Sequence, residues 1–425
     1  MDTGSGYTTD TSSISTEPSE KMKVKQRPRK KRQRSPAGPS WGPLESDTEE
    51  DWKLRSVSTI WTMSKIKDCG LHYENKTSPF SDFYDVFKAC DGNNDSGFIF
   101  PLEGEEKTLL ETLVDQTNLM IDQYGVERED PMMWSSKTLF NWVRLKKNCK
   151  EAVKNLTQNI PTRNPLLQES HFALKKFYHA MNDHFQERIE NYNSSAEVTK
   201  ECYTDLLSNF LEVFLLTPRR GMRKSVLEIT GKTESSVPDL RLTNDTSMNL
   251  FVIEVVEVKN VQCNLDESVS FDINKELNDR LLGQHARELL INYQKTSFGD
   301  LEAALGIICM QTSIIFTCLK MSLVHYANIQ QYGTDLVSRE IRGNDMAYML
   351  KDKSDEREEE EGFNYKKSKR RKVVLEQATE DETDKEARNS GTIFYTKPYN
   401  YLVSKDRRQI MNFLFWIGIN SRRNF

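Results

Sequence analysis

Asp239, Glu257 and Lys259 are the residues of this chain whose types and spacing can do chemistry. Asp239 follows Pro238 at the start of a short apolar run. Glu257 comes eighteen residues later, and Glu257 and Lys259 flank Val258 at the end of a long apolar run. In an extended strand alternate side chains share a face, so Glu257 and Lys259 point together and Val258 points into the opposite layer. An aspartate on the neighbouring strand would meet them. Two carboxylates so placed suit a hard divalent cation, Mg2+ or Mn2+, held through oxygen with a backbone carbonyl and waters completing its shell. The lysine adds positive charge beside an attacking water or a phosphate on which charge develops. Together they are the equipment of metal-assisted phosphodiester hydrolysis.

The elements that must position these residues are legible as pattern. From about Glu105 to Leu216 apolar residues recur at helical spacing. Leu109 and Leu113, Leu139 and Trp142 with Val143, Phe172 with Phe177, and Leu206 with Phe210 mark four helices, with Gly125, Pro131, Pro161 and Pro165 falling between them. After Pro218 the pattern changes. Ser225–Thr230, Val237–Leu242 and Leu250–Lys259 read as strands, the last being the strongest in the chain. The stretch Thr243–Asn249 is short enough to join the second and third as a hairpin. Asn274–Tyr293 reads as a helix and Leu305–Lys320 as one or two further strands. The order strand, strand, strand, helix, strand, with a helix before it, predicts an α/β (α+β) fold.

Pro238-Asp239, then Glu257-Val258-Lys259 closing a hydrophobic strand, then a helix, resembles the PD-(D/E)XK nuclease superfamily, the restriction-endonuclease-like fold. The resemblance spans about residues 200–325 and implies an αβββαβ core. It implies Asp239 and Glu257 as metal ligands and Lys259 as the catalytic lysine. Members of the family also use a Gln or a basic residue on the helix after the E-x-K strand. Arg280, Gln284 and Arg287 would share one helical face, and Gln284 is the closest match. A further acidic residue on the preceding helix or first strand has two candidates, Glu228 and Glu212. The competing account is structural: Asp239 as a turn residue, Glu257 and Lys259 on a solvated edge, Gln284 on a helix surface. The family also contains members that have lost catalysis and keep only a binding surface.

Other motifs carry less. Gly231-Lys232-Thr233 ends like a phosphate-binding loop, but Val226 stands where the earlier glycine belongs. His179 and His184 are spaced for structural roles rather than for a metal on one helical face. The seven cysteines form no C-x-x-C pair, which argues against a zinc ribbon or a disulfide framework.

Of the 425 residues, 37% are hydrophobic, below the ~45–50% of globular chains, so part of the chain is expected to lie outside any core. The net charge of −5 conceals opposed blocks. Residues 1–55 read as a disordered tail carrying a basic cluster at 23–34. Residues 56–200 read as mainly helical and 201–345 as the nuclease-like domain. Residues 346–390 read as a charged insertion with a second basic cluster at 366–372, and 391–425 as an aromatic segment packing back on the core. No secretory signal and no membrane span is expected; the apolar run Met411–Ile419 is nine residues against the ~20 needed. The basic clusters resemble nuclear import signals. They point to the nucleus, with the cytoplasm as the alternative, and to an import receptor and nucleic acid as partners, DNA ahead of RNA. The reading has two branches: a metal-dependent nuclease, or an inactive nucleic-acid- or protein-binding effector using the same fold as a scaffold.

Overall fold

A computed structural model describes residues 61–90, 102–124, 139–161, 164–192, 198–220, 224–243, 251–259, 271–296, 302–333 and 390–423. The tail expected at 1–55, both basic clusters, and the charged insertion up to residue 389 lie outside them. The protein is mixed α/β. Helix α1 (Met63–Asp68) and strand β1 (Leu71–Tyr73) precede helices α2 (Phe80–Cys90), α3 (Gly104–Gln123), α4 (Leu139–Gln158), α5 (Pro165–Asn191) and α6 (Lys200–Glu212). Strands β2 (Thr217–Arg220), β3 (Ser225–Ile229), β4 (Lys232–Ser236), β5 (Leu240–Thr243) and β6 (Phe251–Lys259) follow. Then come α7 (Ile273–Glu276), α8 (Asp279–Asn292), β7 (Ala303–Met310), β8 (Ser313–Met321), α9 (Leu323–Tyr332), β9 (Gly391–Tyr395), β10 (Tyr399–Asn400) and α10 (Ser404–Arg423).

The main sheet has the order β1-β9-β8-β7-β6-β5-β2, with β10 also paired to β8. Strands β2, β5 and β6 are antiparallel neighbours, and β6 then pairs in parallel with β7. That parallel step requires a crossover, and α8 lies in it. The strand read at Ser225–Thr230 is not in this sheet. It pairs with β4 as a separate hairpin, because Thr230 and Gly231 take φ of 53° and 73° and close a tight two-residue turn. The strand read from Val237 begins only at Leu240, which leaves Asp239 just ahead of it. Edge strand β2 was not foreseen; Thr-Pro-Arg-Arg has no apolar alternation, and its proline is tolerated at an edge.

Alternation along the central strands divides the core. Leu305, Ile307 and Cys309 face a layer built from α2 to α6 and α10, whereas Ala304, Ile308 and Met310 face α1, α8, α9 and the hairpin. The described residues fall within one compact unit, Ser58–Phe425, and the helical layer shares its core with the sheet. The four helical stretches lie within α3 to α6. Val143 and Phe172, read onto their apolar faces, are exposed instead; Val143, for one, sits about 100° around the helix from the buried Trp142. The aromatic segment supplies Tyr401, Phe413 and Trp416 to the helical core, with Tyr401 stacked on Phe210 at 4.6 Å between ring centres. Among the described residues no helix is long and apolar enough to cross a membrane.

Candidate active site

Three caps and one register set the site. Asn278 caps α8 through the Leu281 amide at 2.7 Å and so fixes the turn that carries Gln284. Thr199 caps α6 through the Cys202 amide at 3.3 Å and makes Lys200 its first residue. Asp239 acts as a third cap of a kind, on a strand. Because Leu240 lies opposite Val256 in the antiparallel β5–β6 pair, Asp239 comes alongside the last residues of β6. Its Oδ2 accepts the Val258 N–H at 2.8 Å. Val258 therefore buries its side chain among the helices while its amide holds the aspartate.

Glu257 lies on the other face of β6, toward α8, and is only 2% exposed. Its Oε2 meets Lys259 Nζ at 2.9 Å, and its Oε1 accepts from Gln284 Nε2 at 3.2 Å. Burial by itself would lower the Lys259 ammonium. The Glu257 carboxylate against it outweighs that, with help from Asp239 and Glu288, and holds it above the ordinary lysine value. The structure thus links Asp239, Glu257, Lys259 and Gln284 through Val258 and the end of β6.

The other candidates do not join them. Arg287 turns to Glu234 of the hairpin at 2.9 Å, and Arg280 is exposed. Glu212 pairs with Lys176 at 2.7 Å, and Glu228 stands exposed on β3, off the main sheet. His179 is exposed, while His184 is fully buried and accepts the Arg188 Nε–H at 3.1 Å, a structural role.

Two residues of the site escaped the sequence reading. Lys200 Nζ lies 2.6 Å from Asp239 Oδ1. Glu288, 3% exposed, accepts the second Gln284 Nε2–H bond at 3.1 Å, and its Oε2 has no hydrogen-bond partner. Burial, then the adjacent Glu257, pushes the Glu288 carboxyl well above the ordinary glutamate value, so it takes up a proton more readily than an exposed glutamate does. Its four-residue spacing from Gln284 was the available signal. His285 between them bonds the Thr317 hydroxyl at 2.8 Å, and burial lowers its ring to about 3.

Comparison of the chain with protein-family models, with curated proteins and with solved structures gives no match. Among the described residues no group of three His, Cys, Asp or Glu side chains is gathered to hold a metal ion. The donor set still suits a hard cation resting on two carboxylates. The Asp239 and Glu257 carboxylates are matched by the Lys200 and Lys259 ammonium groups, and Glu288 is a third carboxyl that adds an unmatched negative charge only when it ionises. An unpaired buried charge is costly, and a proton or a cation answers it.

Proposed function

We propose that this protein is a metal-dependent nuclease of the PD-(D/E)XK type that hydrolyses phosphodiester bonds in DNA, with RNA as the second choice. The observation that carries the reading is the joining of Asp239, Glu257, Lys259 and Gln284 at the ends of two adjacent strands, backed by α8. The helix–β2–β5–β6–α8–β7 order supports an αβββαβ core with the β3–β4 hairpin as an excursion. Asp239 and Glu257 would hold Mg2+ or Mn2+, which activates water and offsets phosphate charge. The Val258 amide fixes the Asp239 carboxylate, and Gln284 fixes that of Glu257. Lys259, kept cationic by Glu257, stands where negative charge grows on a phosphate. In this reading the basic clusters at 23–34 and 366–372 bring the protein to the nucleus through an import receptor and add salt-sensitive affinity for nucleic acid.

One observation favours the scaffold alternative: each ligating carboxylate is already paired with a lysine. A single assay separates the two. The full chain is incubated with labelled single- and double-stranded DNA and with RNA, in Mg2+, Mn2+ or EDTA, beside Asp239→Asn and Lys259→Met. The nuclease reading expects metal-dependent cleavage that falls by at least about 100-fold in each variant, as when one charge-stabilising group is removed. Binding without cleavage, equal in all three proteins, would refute it and leave the scaffold.

A further inference from the structure

We propose that Lys200 is a positioning residue of this site, a side-chain cation that holds the Asp239 carboxylate until a divalent cation takes its place. The inference rests on the nuclease reading above and adds a residue that the resemblance does not supply. Asp239 has two oxygens with separate fates. Oδ2 is committed to the Val258 amide at 2.8 Å, so the carboxylate is tethered to the E-x-K strand and cannot turn away. Oδ1 is the oxygen left for a ligand, and Lys200 Nζ sits on it at 2.6 Å.

The two lysines of the site are built for different work. Lys259 faces the 2%-exposed Glu257 and is itself 26% exposed. Lys200 faces Asp239, which is 21% exposed, and is 40% exposed at the first position of α6. A compact ammonium on a flexible four-carbon stem, already near water, leaves its partner readily. The pair is worth about five-fold or less in an equilibrium constant, and a divalent ion brings twice the charge. Lys200 thus keeps the aspartate ordered and neutralised in the free protein and yields it on cation binding.

The test is an isothermal titration of the full chain with Mn2+ alone. Native protein is compared with Lys200→Met, Lys200→Gln, Lys200→Arg and Asp239→Asn. Lys176→Met removes the same charge from the Lys176–Glu212 pair elsewhere and serves as control. Lys200→Met should bind Mn2+ about five-fold more tightly, the amount set by removing a half-exposed competing ion pair. Lys200→Gln should gain less, because its amide still donates to Asp239; it also carries the test if the methionine variant does not fold. Lys200→Arg and Lys176→Met should match the native protein. Binding abolished by Asp239→Asn but unchanged or weakened in both neutral Lys200 variants would overturn this role and leave the nuclease reading standing. Native protein with no Asp239-dependent Mn2+ binding would overturn both.

Discussion

Glu288 is where burial and charge conflict most sharply. It is 3% exposed, sits against the Glu257 carboxylate, and accepts an amide N–H from Gln284. The folded protein keeps a proton there that the unfolded chain releases above its ordinary pKa of 4.5. Native stability is therefore lost as pH rises from that value toward the folded pKa, by about 1.4 kcal/mol per pH unit. Glu288→Gln cannot ionise and escapes this loss. Its melting temperature should exceed that of the native protein by a margin that is small near pH 5 and grows as pH rises from there in metal-free buffer. A margin that does not change with pH would mean that Glu288 ionises alike in both states. Asp239, Glu257, Lys259 and Gln284 were legible because each is tied to a strand end or to the helix that follows. Lys200 and Glu288 were not. Lys200 lies thirty-nine residues before its partner, and Glu288 reads locally as one more charged residue on a helix.

Among the elements, α8 has to lie unusually close to its neighbours, because it carries Gln284 and Glu288 over the sheet. Two glycines permit this. Gly306 on β7 faces Leu289 and His285 of α8, where an added Cβ would come within 2.9 Å and 3.0 Å. Gly283 abuts the Trp61 carbonyl and the Thr62 backbone, which leaves no room for a methyl group. In an open helix Gly→Ala would stabilise by about 1 kcal/mol. Here Gly283→Ala should destabilise by roughly 1–3 kcal/mol, because backbone must shift to admit it. Urea denaturation gives the sign directly, and a more stable variant would show that α8 can move off residues 61–62. The hairpin is the element at which sequence reading went furthest astray. Ser225–Thr230 is a good strand pattern, but pattern alone does not say which sheet receives it. The Thr-Gly turn pairs it with Lys232–Ser236, a polar stretch with no strand signal of its own.

At the scale of the whole molecule, α10 joins distant parts of the chain. Arg407 is fully buried. It donates to Asn118 Oδ1 at 3.0 Å and the Leu402 carbonyl at 3.1 Å, and it pairs with Asp122 of α3. Arg422, near the other end of α10, pairs with Glu169 of α5. Arg407→Ala should cost about 2–3 kcal/mol in chemical denaturation, less than the ~3–5 of a fully buried pair because Asp122 is partly exposed. A loss below about 0.5 kcal/mol, the range of an ordinary surface substitution, would mean that the arginine only fills space.

β1 pairs in parallel with β9, residue 71 against residue 391. A chain leaving the ribosome N-terminus first therefore cannot complete its sheet until synthesis has passed β9, nor its helical core until α10 has emerged. About a hundred residues separate the end of β8 from the end of α10. At translation rates of ~5–20 residues per second, the apolar strands β6 to β8 wait on the order of ten seconds for their last partners. Over that interval the apolar strands carry unpaired edges, and the sheet and the helical core close only once β9 and α10 have been made.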